Sequence, residues 1–97
     1  MAIKGIALSG VCYIAWNSTL NVGQAGDAAN HSLHLVRDGI EGGITNSPSE
    51  IDSLGCPGLY SVNLTAAEMN ANLVVLSGKS STLGVSIVPV EIITNAS

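Results

Sequence analysis

The chain lacks phenylalanine altogether, and among its 97 residues only Lys4, Arg37 and Lys79 are basic. Three dispersed cations cannot neutralise a run of phosphates. That excludes binding to a nucleic-acid backbone or to an anionic membrane. Charge of either sign is scarce. The charged share is 10%, with a net charge of −4, where an ordinary soluble domain carries about 25%. So little charge does little to repel neighbours, and the domain is expected to live packed against itself or a partner. Cys12 and Cys56 are the only cysteines, too few for a disulfide scaffold. They are expected as unlinked thiols, buried or half-buried. No apolar run reaches the length of a membrane span. The opening MAIKGIALSGVCYIAWN has no A-x-A cleavage site, and Val11 stands where a lipobox would need a small residue. It is therefore not expected to act as a secretory leader.

What is present is punctuation. Eleven glycines and three prolines divide the chain into short apolar segments of strand length, and 46% of residues are apolar. Residues 10–17 (GVCYIAWN), 31–38 (HSLHLVRD) and 59–64 (LYSVNL) alternate or are rich in β-formers. Residues 72–78 (NLVVLSG) and 85–94 (VSIVPVEIIT) are the strongest strands. Asp38-Gly39 predicts a primed hairpin turn. Pro48 breaks the poor strand at 44–52, and Pro89 interrupts the last one, so both are expected at an edge or a bulge. Thr65 and Glu68 form a capping box, which predicts one short helical segment over 65–71. About seven short strands at 8–12-residue spacing read as an antiparallel β-sandwich, a single domain over residues 1–97. A chain of this length can bury roughly 60–65% of its unfolded surface, enough for one modest core. Residues 1–9 lack a clean period and are expected to form an N-terminal arm.

No nucleophile elbow, phosphate loop or dinucleotide fingerprint occurs. GDAANHSLHLVRDG (26–39) holds both histidines. His31 and His34 are three apart, which on a strand puts the imidazoles on opposite faces, so they cannot chelate one ion. Asp27, Asp38, Glu41, Glu50 and Asp52 fall in predicted turns, where carboxylates favour solvent. Glu68 is explained by capping, and Trp16 and Tyr60 by packing. Catalytic residues, cofactor and metal are therefore all read as none, and the protein as not an enzyme. Ile3, Ile6 and Leu8, lying outside the sandwich pattern, are the candidate partner contacts.

The order of segments adds a resemblance. AWNSTLNVGQAGDAANHSLHLVRDG, TNSPSEID, GLYSVNLTAAEMNANLVVLSGKSS and VSIVPVEIIT together resemble a family of small Ig-like β-sandwich proteins of tailed bacteriophages. The match spans residues 11 to 94, and GLYSVNLTAAE is its most specific part. The resemblance implies an Ig-like sandwich and a virion structural protein without catalytic residues. It points to a capsid cement (decoration) protein on the capsid surface, made in the host cytoplasm. That protein would contact the major capsid protein as a homo-oligomer, a trimer at three-fold positions being favoured. A tail, baseplate or fibre module with adhesin-like loops is the alternative. Such appendages usually carry the module within a longer chain, so the short arm favours the decoration reading.

Overall fold

A computed structural model describes residues 2–96. The described residues are all-β, with nine strands among them: β1 (Leu8–Asn17), β2 (Val22–Gly23), β3 (His31–Arg37), β4 (Ile40–Gly42), β5 (Ser49–Asp52), β6 (Cys56–Leu64), β7 (Leu73–Ser80), β8 (Val85–Val88) and β9 (Val90–Ile93). They join in the order β4-β3-β7-β8-β1-β6-β5, with β2 beside β1 and β9 beside β7. Every strand pair is antiparallel.

Pro89 does more than mark an edge. Before it, β8 pairs with β1 from Ile14↔Val88 to Asn17↔Val85 and meets β7 only at Lys79↔Ser86. After it, β9 pairs with β7 from Leu76↔Val90 to Leu73↔Ile93. A residue without an N–H sits where the chain leaves one neighbour for the other. The sheet folds over there into two layers, β4-β3-β7-β9 and β8-β1-β6-β5. Alternation points Val11, Tyr13 and Ala15 of β1 inward, with Tyr60, Val62 and Leu64 of β6, onto Leu33 and Leu35 of β3 and Val74 and Leu76 of β7. At the far edge, Arg37 faces Ile40 across the Asp38-Gly39 turn. Their φ values of 50° and 85° are those a two-residue primed hairpin needs.

Three expectations are corrected. Pro89 splits the last strand and the short β2 and β4 also form, so there are nine strands rather than about seven. Residues 65–71 form a turn, not a helix. Both capping-box bonds are made, Thr65 N to Glu68 Oε1 at 2.8 Å and Glu68 N to Thr65 Oγ1 at 3.2 Å. One helical bond follows, Met69 N to Thr65 O. Met69 is then buried and the chain must turn to enter β7, so the helix stops at its nucleus. The helical turn that does form is a 3-10 turn at Ala28–Asn30. Finally, Cys12 and Cys56 are free, but both are exposed. Cys12 lies on the outward side of β1, and Cys56 opens β6 at the β5–β6 turn. At low protein concentration a colourimetric thiol reagent is expected to titrate two thiols per chain without denaturant. A native count of none, with two appearing only on unfolding, contradicts that exposure.

Residues 2–7 run along the body. Lys4 N donates to Asn95 O, Asn95 N to Ala2 O, and Gly5 N to Met69 O, at 2.8–3.0 Å. Ile3 and Asn95 make an isolated parallel bridge. Leu8 already belongs to β1, opposite Leu64.

Candidate functional site

The densest polar chemistry lies inside the molecule. His31 has the same strand parity as Leu33 and Leu35, so its ring points into the space between the layers. There it meets the rings of Tyr13 and Tyr60, with centroids 5.6 and 4.5 Å away. His31 Nε2 lies 2.9 Å from Asp27 Oδ2, and Nδ1 lies 2.7 Å from the Tyr13 hydroxyl. Asp27 was expected in solvent but is 2% exposed. Its Oδ2 also accepts from Ser80 Oγ at 2.6 Å. Its Oδ1 accepts from Asn30 Nδ2 at 3.0 Å and from Thr82 Oγ1. Four donors thus fill the four lone-pair positions of one carboxylate. The backbone N–H of Asp27 donates to the Tyr60 hydroxyl, which donates to Gln24 O at 2.5 Å.

Electrostatics fixes the protons. Burial pushes the Asp27 carboxyl up, but the hydrogen bonds from Ser80, Thr82 and Asn30, with His31 alongside, outweigh it. The group stays below the usual carboxylate range. Burial, reinforced by Tyr60 and Asp27, raises the Tyr13 hydroxyl far above its ordinary value. Burial likewise raises Tyr60, partly offset by the Asp27 N–H. An ionised Asp27 accepts only, so the network assigns the proton on His31 to Nε2. Nδ1 and the Tyr13 hydroxyl share the second bond, in the direction that the protonation of the ring sets. The order Asp–His–Tyr resembles a catalytic relay, yet the side chains of His31 and Asp27 are 0% and 3% exposed. A group sealed from solvent on both sides reaches no substrate. What the cluster does is join β1, the 24–30 connection, β3, β6 and the β7–β8 loop around one charge.

His34 points the other way, with Nδ1 2.9 Å from Oε1 of the exposed Glu41. Arg37 and Asp38 do not pair with each other. Arg37 Nη1 donates to Ala67 O at 2.8 Å, while Asp38 accepts from the N–H groups of Asn72 and Leu73. Those backbone bonds hold the Asp38 carboxyl below its ordinary range. Arg37 and Asp38, with Ile40, Asn70 and Ala71, line a shallow open pocket at this end.

The surface is unusual for its apolar content. Ile3 is 39% and Ile6 56% exposed, whereas Leu8 packs partly against the core. The sequence-based contact set therefore divides into two outward side chains and one inward. At the opposite end, Leu20, Leu54 and Leu83 stand at 65%, 93% and 93% exposure. They lie on the connections β1–β2, β5–β6 and β7–β8. Ser18 N bonds Gly84 O, and Gly23 abuts Pro57, so the three loops are neighbours. The third apolar region is a sheet face. Val88, Ile14 and Leu59 sit directly opposite one another across β8, β1 and β6, with Trp16 two residues further along β1. Sequence reasoning missed this face and the buried cluster. The parity of His31 with Leu33, and of Ile14 with Trp16, was the available signal.

Among the described residues no helix is long and apolar enough to cross a membrane. Nothing among protein-family models, curated proteins or solved structures matches this chain.

Proposed function

We propose that the protein is a non-enzymatic structural component of a tailed-phage particle, a capsid cement protein bound on the major capsid protein of the head shell. The observation that carries this reading is the surface. Large apolar side chains stand exposed at both ends and on one sheet face, in a chain with only three cations and seven acids. Such a surface suits a molecule that spends its life in contact with protein. Each contact is small, about 1.5–3 kcal/mol for a fully buried Ile or Leu, but many copies on a lattice gain by avidity. The sealed Asp27–His31–Tyr13 cluster supports the non-enzymatic part, because its polar atoms are spent on one another.

The three-leucine loop end favours a second reading, a tail, baseplate or fibre module that binds through loops. Copy number separates the two. Quantitative mass spectrometry of purified virions is expected to find hundreds of copies per particle. A handful would move the protein to the tail, and none would overturn both readings.

A further inference from the structure

We propose that the pocket beside Arg37 is an anchoring site for a carboxylate, the acidic side chain of a partner protein. The inference names one contact for the protein-bound molecule proposed above and rests on that reading. Its test uses purified protein and a short peptide, so it can fail while the virion reading stands, and the reverse.

Strand parity builds the site. Arg37 shares the parity of Leu33 and Leu35, so its side chain leaves β3 toward the space between the layers. It does so at the end of the strand, where the 65–71 turn closes the core. There Nη1 donates to Ala67 O at 2.8 Å, which ties the guanidinium to the body of the protein. Arg37 is half-buried. The pocket beside it has a volume of about 290 Å³ and is walled by Asp38, Ile40, Asn70 and Ala71.

Three observations select a carboxylate. The first is an unpaired cation. Among the described residues the ion pairs are His31 with Asp27 and His34 with Glu41, so Arg37 has no carboxylate partner. Its remaining N–H donors form a planar fork that matches a carboxylate edge. The second is local charge. Lys4 and Arg37 are two of the three cations in a chain of net charge −4, and Lys4 acts on Asp38 from the N-terminal segment. The acids nearby are engaged on backbone N–H groups, Asp38 on Asn72 and Leu73 and Glu68 on Thr45 and Thr65. An incoming carboxylate therefore finds donors that no internal acid claims. The third is size and lining. Small-molecule sites run from about 300 to 1,000 Å³, so this pocket takes one side chain rather than a whole metabolite. Ile40, 74% exposed, and Ala71 offer an apolar wall to a methylene stem, and Asn70 offers an amide. Gly5 N bonds Met69 O, which sets the exposed Ile6 beside this wall. A fixed arginine with apolar neighbours that shed water is the arrangement of an interface anchor. A phosphate dianion fits worse, since it has no stem and sets a second negative charge against Asp38.

The probe is N-acetyl-leucyl-glutamate amide, capped at both ends so that its side chain carries the only charge. Titrated into nitrogen-15-labelled protein at low salt, it is expected to shift the Arg37 side-chain N–H, the Asn70 side-chain amide and the Ala71 N–H together. Saturation is expected with a midpoint on the order of 1 mM, the scale of a single weak contact. The matching glutamine peptide should bind at least tenfold more weakly. Arg37→Gln, which keeps an N–H donor but loses the charge, should weaken the glutamate peptide at least tenfold with unchanged β-sheet circular dichroism. Should that variant fail to fold, the glutamate–glutamine comparison on the unaltered chain decides alone. No saturable shift at ten times the expected midpoint, equal binding of the two peptides, or shifts centred away from the pocket would overturn the proposal. So would inorganic phosphate binding more tightly than the peptide, or a folded Arg37→Gln that binds as the parent does.

Discussion

Asp27→Asn is expected to lower unfolding stability by about 3–5 kcal/mol, the cost of removing one member of a buried, fully bonded charge cluster. Measured against a total of about 5–15 kcal/mol for a domain of this kind, the variant stands close to its unfolding midpoint. The cause is geometric. Ser80, Thr82, Asn30 and His31 all aim donors at the two carboxylate oxygens. An asparagine puts an NH2 group, itself a donor, against two of them and leaves buried donors unmet. Urea titration gives the stability. A midpoint within about 0.5 kcal/mol of the parent, the size of an ordinary surface change, would mean that the cluster is not what holds the loop end together.

The same carboxylate sets an acid limit. Its folded pKa lies below the ordinary value of 3.8. Its contribution is therefore complete above the unfolded value and is lost as pH falls through the folded one. Asp38 and Asp52, both held low by backbone N–H groups, titrate in the same direction. Stability is expected to be flat with respect to these groups above about pH 5, one unit over a model aspartate, and to fall below about pH 4. Asp27→Asn should flatten that fall in proportion to its share.

Gly58→Ala is expected to cost about 2–5 kcal/mol, combining backbone strain with displacement of packed neighbours. Gly58 has φ +90°, and a Cβ there would stand 2.6 Å from Gly23 Cα and 2.9 Å from both Ala15 O and Gln24 N. The last two atoms are the acceptor and donor of a 2.9 Å hydrogen bond. The methyl group would therefore wedge against the bond that sets Gln24, whose carbonyl receives the Tyr60 hydroxyl. The damage should propagate to the Asp27 cluster and be read as lost hydrogen-exchange protection at 24–31. Gly43→Ala is the control. A Cβ there meets nothing within 4 Å, and the change should stay within about 0.5 kcal/mol. Equal effects at the two sites would show that close approach at Gly58 does not limit stability.

Alternation by itself determined much of this molecule. The period of two along residues 11–17 and 59–64 is a property of neighbouring residues, as is the primed turn that Asp38-Gly39 forms. The prolines also act locally, since a missing N–H ends a pairing wherever it falls. Tertiary structure decided the rest. The capping box of Thr65 and Glu68 was legible and formed, but whether a helix grew from it depended on Met69 finding the core. The turn residue Asp27 became the most heavily bonded carboxylate in the fold because Ser80 and Thr82, 53 and 55 residues away, close over it. Pro89 was readable as an interruption, and only the positions of β1 and β7 made it the fold line of the sheet. Which apolar side chains stay outside followed the same division. Ile14 differs from Val11 by strand parity, which a sequence records. Val88, Ile14 and Leu59 form one row only because β8 and β6 flank β1. Local sterics and hydrogen bonds act between residues adjacent in the chain and can be read from it. Burial and charge pairing act between residues adjacent in space, and the chain must fold before those neighbours exist.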